Sequence, residues 1–180
     1  MEQHYGLAQH GKQLWTRELA RKIRAQITGV LDKLAAGDVL VIDMHGVEVF
    51  DFSFANELFG KLLLALPQDY TGRFIVIEHL TDYTRENLIK ALESLNLVAI
   101  ERKRGKLEIL GNLHPVDAQT FNAIVQAKGP MTAVELKNKL NVNLNAMNER
   151  LNKLTGLGLI RRDKGVSAAG REHFEYRAVS

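Results

Sequence analysis

Residues 38–66 read DVLVIDMHGVEVFDFSFANELFGKLLLAL, and within them the pattern changes from a strand to a helix. The first part, DVLVIDM (38–44), is a short unbroken apolar run, which is typical of a strand buried on both faces. A helical pattern follows over residues 54–66. Ser53 stands directly before this helix, two residues after Asp51. A buried strand that leads into a helix predicts a layered α/β domain.

Strand and helix patterns alternate on both sides of this stretch. A long helix begins at Thr16 and has one apolar face, since apolar residues recur every three or four positions, and Gly37 is its predicted end. Further along the chain we predict a buried strand at 72–79, a helix at 82–95 and a hairpin of strands 98–103 and 106–111 around Arg104-Gly105. This alternation implies crossover connections and an α/β domain over residues 1–110.

The composition is that of an ordinary globular protein, with 46% hydrophobic and 25% charged residues in a chain of 180. No apolar run reaches the roughly 18 residues of a membrane span, and the start, MEQHYGLAQHGKQ, does not read as a secretory signal. The absence of cysteine excludes disulfides, cysteine nucleophiles and thiolate metal sites. We therefore expect a cytoplasmic protein without membrane contact.

Charge is distributed unevenly along the chain. Residues 1–110 carry 14 Lys and Arg against 15 Asp and Glu, whereas residues 111–180 carry 10 against 6, a difference of +4. This excess suggests an anionic partner for the last third of the chain. The pattern changes at GNLHPVD (111–117), the predicted linker. We expect two domains, at residues 1–110 and 115–180.

Residues 115–180 contain a helix-turn-helix pattern followed by two strands. A helix capped by Thr132 is expected to reach Leu140. After a turn, a second helix is expected to run to about residue 154 and to bury residues that lie four and three positions apart. The residues that share this buried face are Met147, Leu151 and Leu154. The elements expected after it are a stop at Gly156 and Gly158, strands at 159–162 and 174–179, and a basic loop at 163–173.

This order of elements resembles the winged helix-turn-helix of many bacterial regulators, and residues 132–162 carry most of the resemblance. In that family the second helix enters the major groove of DNA and the wing contacts the backbone or minor groove. Duplex DNA is therefore the implied partner. Asparagine can read adenine, arginine can read guanine, and basic side chains neutralise phosphates. The candidate base-reading residues are Asn143, Asn145, Asn148, Arg150 and Asn152, and the candidate phosphate-binding residues are Arg161, Arg162, Lys164 and Arg171.

A second interpretation of this segment stays open. Polar residues outside a buried helix face are expected whether or not DNA binds. The second helix is rich in asparagine rather than basic, and Glu149 would repel phosphates. Winged helices also bind proteins, so contact with a protein is the alternative.

Residues 39–111 resemble the STAS domains, and within them the STAS-like branch related to anti-sigma factor antagonists. STAS domains carry a motif of the form apolar-Asp-Ser-Ser-Gly at a helix start, and a partner kinase phosphorylates its second serine. Here FDFSF (50–54) matches it, so that Ser53 takes the position of the modified serine and Phe54 that of the glycine. The following Ala55-Asn56 suits the STAS-like branch. The resemblance implies a protein partner, an ATPase of the histidine-kinase type.

Two hypotheses follow for Ser53. A serine at a helix start accepts a hydrogen bond from an amide two or three residues on, which makes it a cap. The same amides and the helix dipole favour an anion. Phosphorylation would add about −1.5 to −2 charges there, which Asp51 could repel, and could weaken a docked partner. The sequence supports both hypotheses.

Catalysis has no recognisable constellation in this sequence. The six histidines are scattered without ligand spacing, and the glycines are isolated, so we expect no enzyme activity, no cofactor and no metal. The first helix carries four basic residues, which either contact nucleic acid or form a solvated face: Arg17, Arg21, Lys22 and Arg24.

The leading hypothesis is an α/β STAS-like domain joined to a small α+β winged-helix domain, together forming a cytoplasmic, non-enzymatic transcription regulator. Docking of a partner near Ser53 would change either the formation of a homodimer or the exposure of the DNA-binding domain. The alternative is a partner-switch adaptor that binds a kinase-like ATPase and does not contact DNA.

Overall fold

The computed structural model describes residues 1–166 and 170–179. The chain forms two compact units, Met1–Asn112 and Leu113–Ser180. The first unit contains a five-stranded sheet and a separate pair of short strands, and the second contains a three-stranded sheet. Among the described residues, no helix combines the length and the apolar character that crossing a membrane requires.

The first unit is a mostly parallel sheet with helices. In its main sheet the strand order is β1-β3-β5-β6-β7, with β7 antiparallel to β6 and the other neighbours parallel, while β2 and β4 form the short parallel pair. The elements are β1 (Glu2–Gly6), β2 (Gln13–Leu14), α1 (Arg17–Leu31), β3 (Val39–Asp43), β4 (Val49–Phe50), α2 (Phe52–Ala55), a π-helical segment (Asn56–Gly60), α3 (Lys61–Asp69), β5 (Phe74–Glu78), α4 (Asp82–Ser94), β6 (Val98–Lys103) and β7 (Lys106–Gly111).

The predicted strands of this unit are confirmed. β3 is buried from Val39 to Ile42, as its unbroken apolar run indicates, and β5 is buried in the same way. Alternate residues of both strands join the apolar faces of the helices in one core cluster. The predicted hairpin turns at Arg104 and Gly105, which have φ angles of 50° and 75°, as a tight two-residue turn requires.

The first helix is shorter than predicted. It begins after Thr16, whose Oγ1 accepts a hydrogen bond from Leu19 N at 3.3 Å, but it ends at Leu31 rather than near Gly37. The amides of the following residues bond carbonyls three residues back, and the Asp38 carboxylate accepts the amide of Ala35 at 2.9 Å. These bonds satisfy the chain outside a helix, so the α-helical ladder stops.

The second helix begins earlier and ends later than predicted. It starts at Phe52 instead of residue 54, passes through the π-helical segment and ends at Asp69. Within the π-helical segment Gly60 lies against Leu95, where an added Cβ would come within 2.6 Å of Leu95 Cδ1. A larger residue at position 60 would therefore require the Leu95 side chain to shift.

The second unit is a three-helix bundle with a small antiparallel sheet. Its strand order is β8-β10-β9, and its buried apolar residues include Phe121, Leu136, Leu151 and Tyr176. The elements are α5 (Pro115–Val125), β8 (Met131–Thr132), α6 (Ala133–Leu140), α7 (Leu144–Gly156), β9 (Ile160–Val166) and β10 (Glu172–Ala178).

The predicted helix-turn-helix is confirmed in its helices. Thr132 Oγ1 accepts the amide of Glu135 at 3.2 Å, and the Glu135 carboxylate accepts the amide of Thr132 at 2.7 Å, which is a reciprocal capping box. Asn141 in the left-handed conformation, with φ of 52°, ends α6. The predicted buried residues of the second helix, Met147, Leu151 and Leu154, are all buried.

Two expectations for this unit are corrected. The predicted linker overlaps α5, which begins at Pro115, because a proline fits the first turn of a helix where its missing amide is not needed. The predicted loop at 163–173 is largely sheet, since β9 continues to Val166 and β10 begins at Glu172. Residues 167–169 of that loop lie outside the described residues.

Candidate nucleic-acid interface and partner surface

The start of α7 is set by Asn143. Its Oδ1 accepts a hydrogen bond from Ala146 N at 2.8 Å, so the side chain caps the helix. The capping bond engages the amide oxygen that reading adenine would also require. Asn143 therefore holds the helix start, and its side chain remains exposed at the surface.

Three asparagines form one exposed face of α7. Asn145, Asn148 and Asn152 follow each other at spacings of three and four residues, opposite the buried methionine and leucines of the same helix. Among the described residues, the amides of Asn145 and Asn148 have no hydrogen-bond partner. These two amides are therefore open to an outside ligand.

Arg150 does not lie with these asparagines. Its side chain is half-buried, and its Nη1 atom is buried without a hydrogen-bond partner among the described residues. In the turn geometry of an α-helix it comes next to the buried face, between Met147 and Leu154. Arg150 is not among the buried residues of the helix, and its role in reading bases stays a prediction.

The first basic strand of the sheet joins this face. Arg162 Nη1 donates to Asn152 Oδ1 at 3.3 Å, and the Arg162 guanidinium lies 4.8 Å from the centre of the Phe174 ring. Lys164 pairs with Phe174 across the strands and, two residues after Arg162, points to the same side of the sheet. The bond between Arg162 and Asn152 ties the strand to the second helix.

The other two predicted phosphate contacts are placed differently. Arg161 alternates with Arg162, so its side chain lies on the opposite side of the sheet and is half-buried. On that side Asp163 pairs with Arg177 at 2.8 Å, which reduces the positive charge. Arg171 is exposed directly before β10. Of the four predicted phosphate-binding residues, Arg162, Lys164 and Arg171 are exposed.

In the first unit, the helix start at Ser53 is capped by Asp51. Its Oδ1 accepts the amide of Phe54 at 2.7 Å, and Ser53 is the second residue of α2. The hypothesis that Ser53 is the cap is wrong, because Asp51 is the capping residue and Ser53 lies inside the helix, after its first residue Phe52. Ser53 is half-buried, and its hydroxyl has no hydrogen-bond partner in the described part of the chain. It is thus reachable from solvent.

Aromatic side chains are exposed at the helix starts near Ser53. Phe52 precedes it, Trp15 precedes the cap of α1, and Tyr83 lies in the first turn of α4. α4 is tied to this region by Asn87, whose Nδ2 donates to the carbonyl of Phe50 at 3.2 Å. The exposure of these aromatics is not visible in the sequence, because exposure of a single aromatic residue is set by tertiary packing.

One buried carboxylate gathers three cations beside this surface. Glu57 Oε1 is 2.9 Å from Arg24 Nη2 and 3.4 Å from Arg21 Nε, and Glu57 Oε2 is 2.7 Å from Lys61 Nζ. Burial alone would raise the pKa of Glu57, but hydrogen bonds and charge from Lys61 and Arg24 outweigh it and hold the pKa below its ordinary value. Lys22 is not part of the group and pairs with Glu18 at 2.8 Å.

A histidine pair lies at the carboxyl ends of β3 and β5. Asp43 Oδ1 accepts the amide of His45 at 2.8 Å and is hydrogen-bonded to His79 Nδ1 at 2.7 Å, and the two rings meet edge-on with centres 5.7 Å apart. The spacing in sequence did not reveal this contact, which the parallel pairing of the strands creates. Within residues 1–166 and 170–179 no group of three or more ligating side chains is placed to hold a metal ion.

Two family models match the chain. Residues 20–85 match a STAS-like domain of unknown function (DUF4325), and residues 107–180 match the sugar-specific transcriptional regulator TrmB. No curated protein matches the sequence. The predicted fusion of a STAS-like domain with a winged helix of a transcription regulator is confirmed.

Proposed function

Because the chain joins a STAS-like domain to a winged helix of the transcription-regulator type, we propose that it is a cytoplasmic, non-enzymatic regulator that binds duplex DNA. Binding would use residues 115–180 and the signal would enter through residues 1–110. The observation that carries this proposal is the exposed asparagine face of α7, which Arg162 joins to the basic strand through Asn152.

Each side chain has a distinct role in this proposal. Asn145 and Asn148 read bases, since their free amides can pair bidentately with adenine. Asn152, held by Arg162, orients the helix on the strand. Arg162, Lys164 and Arg171 contact phosphates, and Asn143 holds the helix start. The half-buried Arg150 and Arg161 support these residues.

We do not propose that this chain binds a sugar, although the description of the matching family names one. The match covers residues 107–180, and the exposed features of that segment suit a nucleic acid. The proposed input is instead a protein contact at Ser53, with an ATPase of the histidine-kinase type as the implied partner. Docking would change the affinity for DNA or the formation of a homodimer.

Duplex binding is tested with the full chain and a library of random duplexes, from which bound sequences are recovered. Fluorescence anisotropy then measures the dissociation constant as a function of salt. Log affinity falls linearly with log salt. Arg162→Ala and Lys164→Ala should each make this slope shallower by about 0.9. Asn145→Ala and Asn148→Ala should alter the recovered sequences while leaving the slope unchanged.

The alternative is the adaptor that contacts only proteins. Glu149 on α7 favours it, because its charge opposes a phosphate backbone and the neighbouring asparagines are neutral. If the chain has no duplex affinity even in low salt, the adaptor becomes the leading proposal. Lys90→Ala, in the first unit, is the matched control for loss of one exposed cation and should leave duplex binding unchanged.

Control by the first unit is tested at Ser53. Ser53→Asp places a charge beside the capped helix start, and Ser53→Ala does not. We expect only the aspartate to change duplex affinity or the sedimentation coefficient, while both variants keep the melting temperature. If neither variant changes either quantity, the Ser53 surface does not transmit the signal. Limited proteolysis between residues 111 and 115 tests the proposed division into two functional domains.

A further inference from the structure

The helices α1 and α2 are aligned side by side over a shared register. In the short strand pair Leu14 pairs with Phe50, an offset of 36 residues (50 − 14), and the contact between Arg21 and Glu57 has the same offset (57 − 21). Strands that pair in parallel thus lead into helices that keep the alignment. Arg17 and Ser53 also differ by 36, and each lies one turn before the members of that contact. Arg17 lies on the same face of α1 as Arg21, one helical turn earlier.

This alignment gathers positive charge along the line where the two helices meet. We call Arg17, Arg21, Arg24, Glu57 and Lys61 the basic seam. Four cations stand against one carboxylate, and Arg17 has no ion-pair partner among the described residues. Arg17, Arg21 and Lys61 are exposed, and the Nε atom of Arg24 is buried without a hydrogen-bond acceptor. The seam thus has unused capacity for an anion.

Apolar surface and backbone strain lie at the open end of the seam. Trp15 and Phe52 are both exposed directly before the first turns of α1 and α2. Directly after Trp15, Thr16 caps α1 with a φ of 73°, which is rare for a β-branched residue. Strained conformations of this kind concentrate at binding sites. The seam therefore combines charge with an aromatic rim.

We infer that the basic seam is the docking surface for an acidic segment of a protein partner. This rests on the proposed function, in which a protein contacts the surface at Ser53. A carboxylate can take two parallel hydrogen bonds from the free edge of Arg21, while apolar side chains of the same segment cover Trp15 and Phe52. The occupant is thus a chain that alternates acidic and apolar residues.

The observations favour a protein over a nucleic acid. Three of the cations converge on a single carboxylate instead of following a line of phosphates. Residues 1–110 carry 14 basic against 15 acidic residues, so they offer DNA no long-range attraction. The aromatic rim matches the composition of protein interfaces, in which aromatic and arginine side chains are enriched.

Glu57 holds the cations in place while the partner is absent. Its carboxylate fixes the positions of Arg21, Arg24 and Lys61, which lowers the entropy that binding would otherwise cost. It also repels an incoming acidic group. Replacing Glu57 with glutamine removes a full negative charge, an effect we expect to outweigh the lost order of the cations, so it should strengthen the attraction for an acidic segment. Loss of a cation should weaken that attraction. The opposite signs separate an electrostatic docking surface from a merely structural cluster.

The test uses the full chain and a short fluorescein-labelled peptide in which glutamates alternate with leucines and phenylalanines. Fluorescence anisotropy measures its dissociation constant at low salt. The double variant with Arg21→Gln and Lys61→Gln should weaken binding about tenfold, since each exposed pair contributes up to about 1 kcal/mol. Glu57→Gln should tighten it. Circular dichroism confirms that each variant is folded before its affinity is interpreted.

Lys22→Gln is the matched control, because Lys22 is next to Arg21 on the same helix but pairs outside the seam. It should leave peptide affinity unchanged, and the same peptide with glutamine for glutamate should not bind. Equal effects of Lys22→Gln and Arg21→Gln, or no effect of the double variant, would overturn the inference. A fall in duplex DNA affinity in the double variant would also overturn the inference, because the seam would then be a nucleic-acid contact. If Ser53→Asp changes neither duplex affinity nor the sedimentation coefficient while the peptide still binds, the proposed function is contradicted and the docking surface is not.

Discussion

Replacing Glu57 with glutamine keeps the size of the side chain and removes the charge on which Arg21, Arg24 and Lys61 converge. The Glu57 side chain is 4% exposed, whereas those of its partners are 62%, 29% and 48% exposed. The carboxylate is therefore covered by long side chains that themselves reach water. After the replacement the cations can turn outward, and the amide remains covered.

The expected loss of stability follows from these exposures. Breaking a fully buried ion pair costs about 3–5 kcal/mol, but partners that reach solvent recover much of that energy. We expect the free energy of unfolding to fall by about 1–2 kcal/mol at pH 7. With an unfolding entropy of about 2.1 cal/mol/K per residue, the melting temperature of Met1–Asn112 should fall by about 4–9 °C.

The loss should depend on pH. The pKa of Glu57 is lowered in the folded protein because Lys61 and Arg24 outweigh the effect of burial. A lowered carboxyl pKa contributes stability above the pKa of the unfolded chain, about 4.3, and that stability disappears as the pH falls through the folded-state value. The difference between the two proteins should be complete at pH 7 and shrink below about pH 4. Other carboxyl groups titrate in both proteins and cancel.

Urea unfolding followed by tryptophan fluorescence measures this difference, since the single tryptophan, Trp15, lies in the first unit. Glu86→Gln is the control, because Glu86 forms an exposed pair with Lys90, which solvent screens, and should leave the stability nearly unchanged. A Glu57→Gln protein as stable as the wild type at pH 7 would refute the reasoning. A difference that stays constant down to pH 3 would refute the electrostatic part of it.

Further predictions concern the helix cap, a turn and the wing. Asp51→Ala should cost about 1 kcal/mol of stability because it removes the cap of α2, and Ser53→Ala should cost only a few tenths, as measured by thermal unfolding. Gly111→Ala should cost about 2–3 kcal/mol in urea unfolding, because φ is +89° and the new Cβ would lie 2.5 Å from the carbonyl oxygen of Leu97. Arg162→Ala should weaken duplex binding to every sequence and flatten its salt dependence, as measured by anisotropy.

Each of these has an outcome that contradicts it. If Ser53→Ala destabilises the protein more than Asp51→Ala, the assignment of the cap is wrong. Gly129→Ala is the control for Gly111→Ala, since an added Cβ there meets nothing within 4 Å, and equal effects of the two changes would show that no close contact matters. An unchanged salt slope for Arg162→Ala would mean that Arg162 does not neutralise a phosphate.

The sequence alone predicted the elements whose signal is local. The buried strands β3 and β5 were visible as apolar runs, and the helix-turn-helix was visible from the capping residue Thr132 and the spacing of its apolar residues. These features depend on neighbours a few positions apart. Helix ends were less accurate, as at Leu31, because competing side-chain bonds such as that of Asp38 decide where the ladder stops.

The candidate site was only partly visible for the same reason. The polar face of α7 follows from helical spacing, so Asn145, Asn148 and Asn152 could be selected from the sequence. The sequence could not separate Arg150 from them, because a flexible side chain beside the buried face can turn either way. It also did not single out Asp51 as the cap, although aspartate and serine both accept an amide hydrogen bond at a helix start.

What the sequence by itself determined is the type of each domain and the elements with a local signal, because periodicity and caps act over one or two helical turns; the short strands β1, β2, β4 and β8 were not among them. What only the tertiary structure decided is which distant side chains meet. The pairing of β2 with β4 brings Arg21 to Glu57, and the pairing of β3 with β5 brings His79 to Asp43. Such contacts depend on the register between strands, and no local pattern specifies that register.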